Sequence, residues 1–131
     1  MILIAYDGSA GAKAAIAQAA HLMPGHPATV LCVWEPRLAA PAPTAAAGAE
    51  RLAAEGEALA HEVGVDARGA GVTSASGIAP AIVAEARRLD ADAIVIGSRG
   101  PARSASVGSL QPALMRLADR PVLVVPARRA E

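Results

Sequence analysis

A chain of 131 residues, 53% of them apolar, is long enough for one self-sufficient core and too apolar for disorder. Its 12 basic and 12 acidic residues cancel to a net charge of +0, which leaves no electrostatic footprint for nucleic acid or an anionic membrane. With no Phe, one Trp and one Tyr, a base-stacking surface is hard to assemble, and the single cysteine, Cys32, excludes an internal disulfide and any cysteine-rich metal site.

The chain opens on a short apolar run, Ile2-Leu3-Ile4-Ala5-Tyr6, with no basic segment ahead of it, so it does not read as a secretory signal. Apolar on both faces, the run predicts a strand covered on both sides, as in a parallel sheet. Asp7-Gly8-Ser9 breaks it, and Ser9 sits where a helix N-cap belongs. Ala12, Ala15, Ile16, Ala19 and Leu22 then recur at helical spacing until Pro24-Gly25. Residues 28–34 predict a second strand, in which Cys32 is a small buried hydrophobe. Residues 35–48, rich in Ala and Pro, predict a mobile connector within one domain spanning 1–131.

The next helix shows the clearest periodicity. Ala49, Leu52, Ala53, Gly56, Leu59, Ala60 and Val63 form the apolar stripe, and Gly64 is its stop. Residues 66–73 are a weak third strand. Ser76-Gly77 opens a helix with Ile78, Ile82, Val83, Ala86 and Leu89 on its core side; Pro80 falls in the first turn, where it is tolerated. Ala93-Ile94-Val95-Ile96 is a fourth strand ending at Gly97. A loop bearing Gly and Ser follows, then a helix over 109–118 and a fifth strand, Val122-Leu123-Val124-Val125, between two prolines. No apolar stretch approaches the roughly 18 residues a membrane helix needs, and the expected compartment is the cytoplasm.

Strict alternation of strand and helix predicts an α/β fold: a parallel sheet, right-handed crossovers and helices on both faces. Proline-bracketed and close to the C-terminus, the fifth strand belongs at a sheet edge. An apolar edge left bare invites aggregation, and pairing with the same strand of a second copy would cover it. A homodimer through Val122 to Val125 is therefore expected; the alternative is an edge shielded by the Arg128-Arg129 tail.

Chemistry in such a sheet belongs at the carboxyl ends of the strands, where strand order reverses. Three segments end there: Ala5-Tyr6-Asp7-Gly8, Val33-Trp34-Glu35, and Gly97-Ser98-Arg99-Gly100 continuing to Gly108-Ser109. Glycines let backbone N–H groups approach a phosphate, and Gly108-Ser109 opens a helix whose free N–H groups favour an anion. A helix dipole supplies about 0.3–1 kcal/mol, against the roughly 8 kcal/mol of micromolar affinity. Base and ribose contacts would have to supply the rest. Plain turn chemistry accounts for the same glycines.

These segments resemble the universal stress protein family. The opening strand with its Asp-x-Ser turn, the run Ala91-Asp92-Ala93-Ile94-Val95-Ile96-Gly97-Ser98-Arg99-Gly100, the pair Gly108-Ser109, and Arg120-Pro121-Val122-Leu123-Val124-Val125 all carry the likeness, which spans essentially the whole chain. The resemblance implies a single open five-stranded parallel sheet in the order 3-2-1-4-5. Its class would be the Rossmann-like three-layer sandwich called adenine nucleotide alpha hydrolase-like, with dimers through the last strand. It also implies ATP, or another adenine nucleotide, with Mg²⁺. Ala5 and Asp7 would then meet the adenosine, Asp7 through the ribose, and the Val33 backbone would meet the adenine edge. Gly97, Arg99 and Gly100 would line the phosphate loop, while Gly108, Ser109 and the Leu110 amide would hold the phosphates. Asp7 also suits a turn-forming Asx role, and Arg99 a solvated loop charge.

The chain departs from the family's G-x2-G-x9-G-[ST] pattern in one place: seven residues, 101–107, separate Gly100 from Gly108. Pro101 also removes a backbone donor. Ala5 and Tyr6 stand where ATP-binding members often have Pro and a small residue, so Tyr6 is expected to reshape the adenine end. His21, His26 and His61 follow no metal-ligand spacing, and neither G-x4-GK[ST] nor G-x-S-x-G occurs. With no general base in view, efficient hydrolysis is not expected, weak ATPase activity aside. The resemblance leaves two functions open: a dimeric nucleotide-binding regulator, or a nucleotide-free member acting through homodimerisation and other protein contacts. A redox or flavin module of similar topology is a third, lesser alternative.

Overall fold

The computed structural model describes residues 1–35, 42–98 and 110–127, with only the backbone of 42–45. Among the described residues nine elements alternate: β1 (Ile2–Ala5), α1 (Ala10–Leu22), β2 (Ala28–Trp34), α2 (Ala42–Glu62), β3 (Ala67–Thr73), α3 (Ile78–Arg88), β4 (Ala93–Gly97), α4 (Leu110–Leu117) and β5 (Val122–Val125). The strands form one parallel sheet in the order β3-β2-β1-β4-β5. That is the order implied by the family resemblance.

Period-two alternation divides the core into two layers. Ile2, Ile4, Tyr6, Val30, Val95 and Val125 pack with α1 and α2, whereas Leu3, Leu31, Ile94 and Ile96 pack with α3 and α4. A central strand is thus buried on both faces, which is why its sequence is continuously apolar. Cys32, at 1% exposure, belongs to a small cluster with Ala49 and Ala53 of α2, as expected of a buried hydrophobe.

One boundary differs from expectation. Residues 42–48 are not connector but the first two turns of α2. Alanine is the best helix former, and Pro43 lies in the first turn, where its missing N–H leaves no intrahelical bond unmade. Residues 36–41 lie outside the described part. Two residues of the predicted stripes also face out: Leu22 is 54% and Val63 46% exposed, each at or just past the final residue of its helix.

The two sheet edges are finished differently. Along β3, the backbone groups of Ala67 and Gly69 point away from β2, and α2 reaches over to meet them. His61 Nε2 donates to the Ala67 carbonyl at 2.9 Å, and the Gly69 N–H donates to Glu57 Oε1 at 2.6 Å. Glycine is required for this approach, because a Cβ at Gly71 would sit 2.6 Å from the Ala49 carbonyl carbon. β5 has no such cover among the described residues. The Pro121 and Val125 carbonyls accept from Ile94 and Ser98 on the β4 side, so Val122 and Val124 turn their backbone groups outward. Among the described residues no helix is long and apolar enough to cross a membrane.

Candidate functional site

The carboxyl end of β1 sits between those of β2 and β4, where the chain's crossovers change direction, and a cleft opens there. Ala5, Asp7, Val33, Gly97 and Leu110 all line it. Five of the nine expected site residues are therefore brought together from β1, β2, β4 and α4. The other four, Arg99, Gly100, Gly108 and Ser109, lie outside the described residues.

The turn from β1 into α1 is built by two side chains. Ser9 is the N-cap, its Oγ accepting the Ala12 N–H at 3.1 Å from an extended backbone (φ −74°, ψ 162°). Asp7 Oδ1 accepts the Ser9 N–H at 3.0 Å, the Asx geometry. Asp7 is exposed and lines the cleft, and its carboxylate has a second oxygen able to accept.

Val33 is placed by ladder arithmetic. The last bond between β1 and β2 runs from the Tyr6 N–H to the Leu31 carbonyl at 2.8 Å, and the register ends at Ala5 beside Leu31. On its other side, the Trp34 carbonyl accepts the Ser74 N–H at 3.0 Å. Since alternate residues of a strand bond to opposite neighbours, the Val33 N–H and carbonyl face the β1 side, beyond the end of the β1 ladder.

Gly97 ends β4 against the start of α1. A Cβ there would lie 2.6 Å from the Gly11 carbonyl carbon and 2.7 Å from its oxygen. Gly97 thus lines the cleft, while the close approach of α1 demands the glycine. Leu110 is the first residue of α4, half-buried on the cleft wall.

Tyr6 departs from expectation. It borders the cleft, but its ring follows Ile2 and Ile4 into the opposite layer, where it is 2% exposed, packs near Gly56 and donates its hydroxyl to the Glu55 carboxylate. Burial, then the Glu55 hydrogen bond and charge, hold its phenol well above the usual range.

Two further wall residues, Ile78 and Ile82, come from the first turns of α3. Their spacing marks them only as core. The usable signal was topological, because the first turn of a helix that follows a strand always lies at the carboxyl end of the sheet. Asp7 is the only charged side chain among the lining residues described. No group of three His, Cys, Asp or Glu able to hold a metal occurs among the described residues.

Residues 1–126 match the family model described as Usp, universal stress protein family. Comparison with curated proteins finds no match. Among solved structures, a universal stress protein in complex with cAMP is similar at 20% identity and TM-score 0.76, covering 97% of both chains. The universal stress protein from Archaeoglobus fulgidus in complex with dAMP is similar at 22% identity and TM-score 0.72, covering 95% of both. A universal stress protein family member from Burkholderia pseudomallei reaches 26% identity and TM-score 0.74, covering 96% of this chain and 95% of that one.

Proposed function

Because this chain belongs to the universal stress protein family, with its adenine nucleotide alpha hydrolase-like fold, we propose that it binds ATP or a related adenine nucleotide at the carboxyl ends of its strands, as a cytoplasmic regulator rather than an efficient hydrolase. The observation that carries this reading is the convergence of Ala5, Asp7, Val33, Gly97 and Leu110 on one cleft. In it, the Val33 backbone meets the adenine edge and the free Asp7 oxygen accepts from a ribose hydroxyl. Mg²⁺ arrives on the phosphates of the ligand. The cAMP and dAMP complexes of two similar structures support the ligand class. Asp7 is the only carboxylate among the described lining residues, and one of its oxygens already holds the turn, which supports binding without an acid–base pair for hydrolysis.

The proposed assembly is a homodimer through β5. Its support is the contrast between the edges: α2 side chains occupy that of β3, while the outward groups of Val122 and Val124 lack such cover among the described residues.

A second reading, a nucleotide-free member acting through protein contacts, is favoured by the structural duties of Asp7 and Gly97, which would require both residues without any ligand. Calorimetric titration with ATP and AMP, with and without Mg²⁺, decides between the two. Saturable heat is expected; its absence at millimolar ATP, with no thermal shift, would leave the second reading.

A further inference from the structure

We propose that Glu55 is a positioning residue for the cleft: through the hydroxyl of Tyr6 it fixes the end of β1, and with it Asp7, from α2. The positioning stands on geometry alone. Its effect on affinity rests on the adenine-nucleotide reading above and deepens it, by naming a residue that sets that affinity without lining the cleft.

Asp7 lies just beyond the β1 ladder. Pairing with β4 ends at Ile4 and pairing with β2 at Ala5, and the Tyr6 N–H makes the last bond, to the Leu31 carbonyl. Past that bond the backbone leaves the sheet, so where Asp7 stands follows from how its two neighbours are held. α2 holds both. On one side the buried Tyr6 ring lies under Gly56, where a Cβ would meet two ring carbons at 3.0 Å, and its hydroxyl donates to the Glu55 carboxylate. On the other side Gly8, at φ +84°, faces Leu52: a Cβ on Gly8 would lie 3.2 Å from Leu52 Cδ2. Leu52, Glu55 and Gly56 fall within little more than one turn of the helix. Glu55 itself is exposed, so burial of the ring does not require it. Apolar neighbours account for the ring; the hydroxyl sets its depth and direction. A hydrogen bond to an ionised acceptor is roughly twice as strong as a neutral one, and here it ties that turn of α2 to the residue before Asp7.

Amide exchange followed by NMR on the full chain, with an ATP titration alongside, tests the proposal. Y6F keeps the ring and removes the hydroxyl; E55A removes the acceptor; E55Q keeps an acceptor for the hydroxyl. Y6F and E55A are each expected to speed exchange of the Ser9 N–H, which Asp7 Oδ1 accepts, by about threefold or more. The Ala91 N–H, bonded to the Ala86 carbonyl at the opposite end of the sheet, should keep its rate. The double variant should exchange no faster than the single ones, because both act through one bond, and E55Q should stay with the parent. ATP affinity is expected to fall about three- to tenfold in Y6F and E55A. Unchanged Ser9 exchange in a folded Y6F would overturn the inference, as would equal acceleration at Ser9 and Ala91, which marks general loosening. Undiminished ATP binding by Y6F would overturn the role in affinity and leave the adenine-nucleotide reading intact. Faster Ser9 exchange in a chain whose parent binds no ATP would overturn that reading and uphold the positioning.

Discussion

Gly97 and Gly11 meet backbone against backbone: the end of β4 lies so close to the start of α1 that a single methyl on Gly97 would intrude to 2.6 Å from the Gly11 carbonyl carbon. Backbone cannot swing aside as a flexible side chain can. G97A should therefore push α1 off the sheet and cost about 1–3 kcal/mol, seen as a lower urea midpoint with an unchanged m-value.

Cys32 should behave as an inert thiol. Burial, and then the charge of Asp7, push it up to about 12 from an ordinary thiol value near 9. The folded chain keeps its proton when the unfolded chain begins to lose it. The resulting stability is complete below pH 9 and declines as pH rises towards 12, by at most about 1.4 kcal/mol per pH unit. Two outcomes are expected: no reaction with a thiol reagent at pH 8 until denaturant is added, and a smaller loss of urea midpoint between pH 8 and 10 in C32A than in the parent.

At the acid end, Asp119 is held at about 2 by the Arg120 hydrogen bond first and then by Arg87. A carboxylate lowered in this way contributes stability above its unfolded value near 3.8, and that contribution disappears as pH falls towards 2. D119N should flatten the dependence of the thermal midpoint on pH between 4 and 2. Arg120 also donates to the Ala86 and Ala91 carbonyls at 2.9 Å, so R120A should lower the midpoint at pH 7 as well.

The edges can be tested against each other. V124P removes an N–H that points away from β4, so it should leave the monomer folded while abolishing the proposed β5 dimer in sedimentation velocity at tens of micromolar. E57A strips the Gly69 N–H of its acceptor. It should cost about 1–3 kcal/mol and open β3 to self-association.

Much of this architecture was legible in the residues. Continuous apolar runs marked the buried strands, and the stretch from Ala28 to Trp34 matched β2 at both ends. Ser9 could be assigned as a cap because its only preceding neighbours break a strand. What failed did so for physical reasons. Pro43 looked like a breaker, but a proline's missing donor does no harm in a first turn, so the start of α2 was lost in the connector. Tyr6 adjoins the cleft residues in sequence, but proximity in sequence says nothing about faces, and its alternation with Ile2 and Ile4 sends its ring to the other layer. Ile78 and Ile82 carry the same stripe as Val83 and Ala86, and a stripe gives the side of a helix, not the height along the sheet at which a residue sits.

The place of β1 at the centre of the sheet has a consequence for how the chain is made. Ile2 pairs with Ala28 on one side and with Ala93 on the other. During synthesis the first partner emerges early, and β1, β2 and β3 can assemble with α1 and α2 over one face. The opposite flank of β1 must then wait, unpaired and apolar, until residues 93–97 leave the ribosome. At roughly 5–20 residues per second that is an interval of seconds. Over that interval the nascent chain exposes a sticky strand that the finished protein never shows, and the step that ends it is the docking of β4.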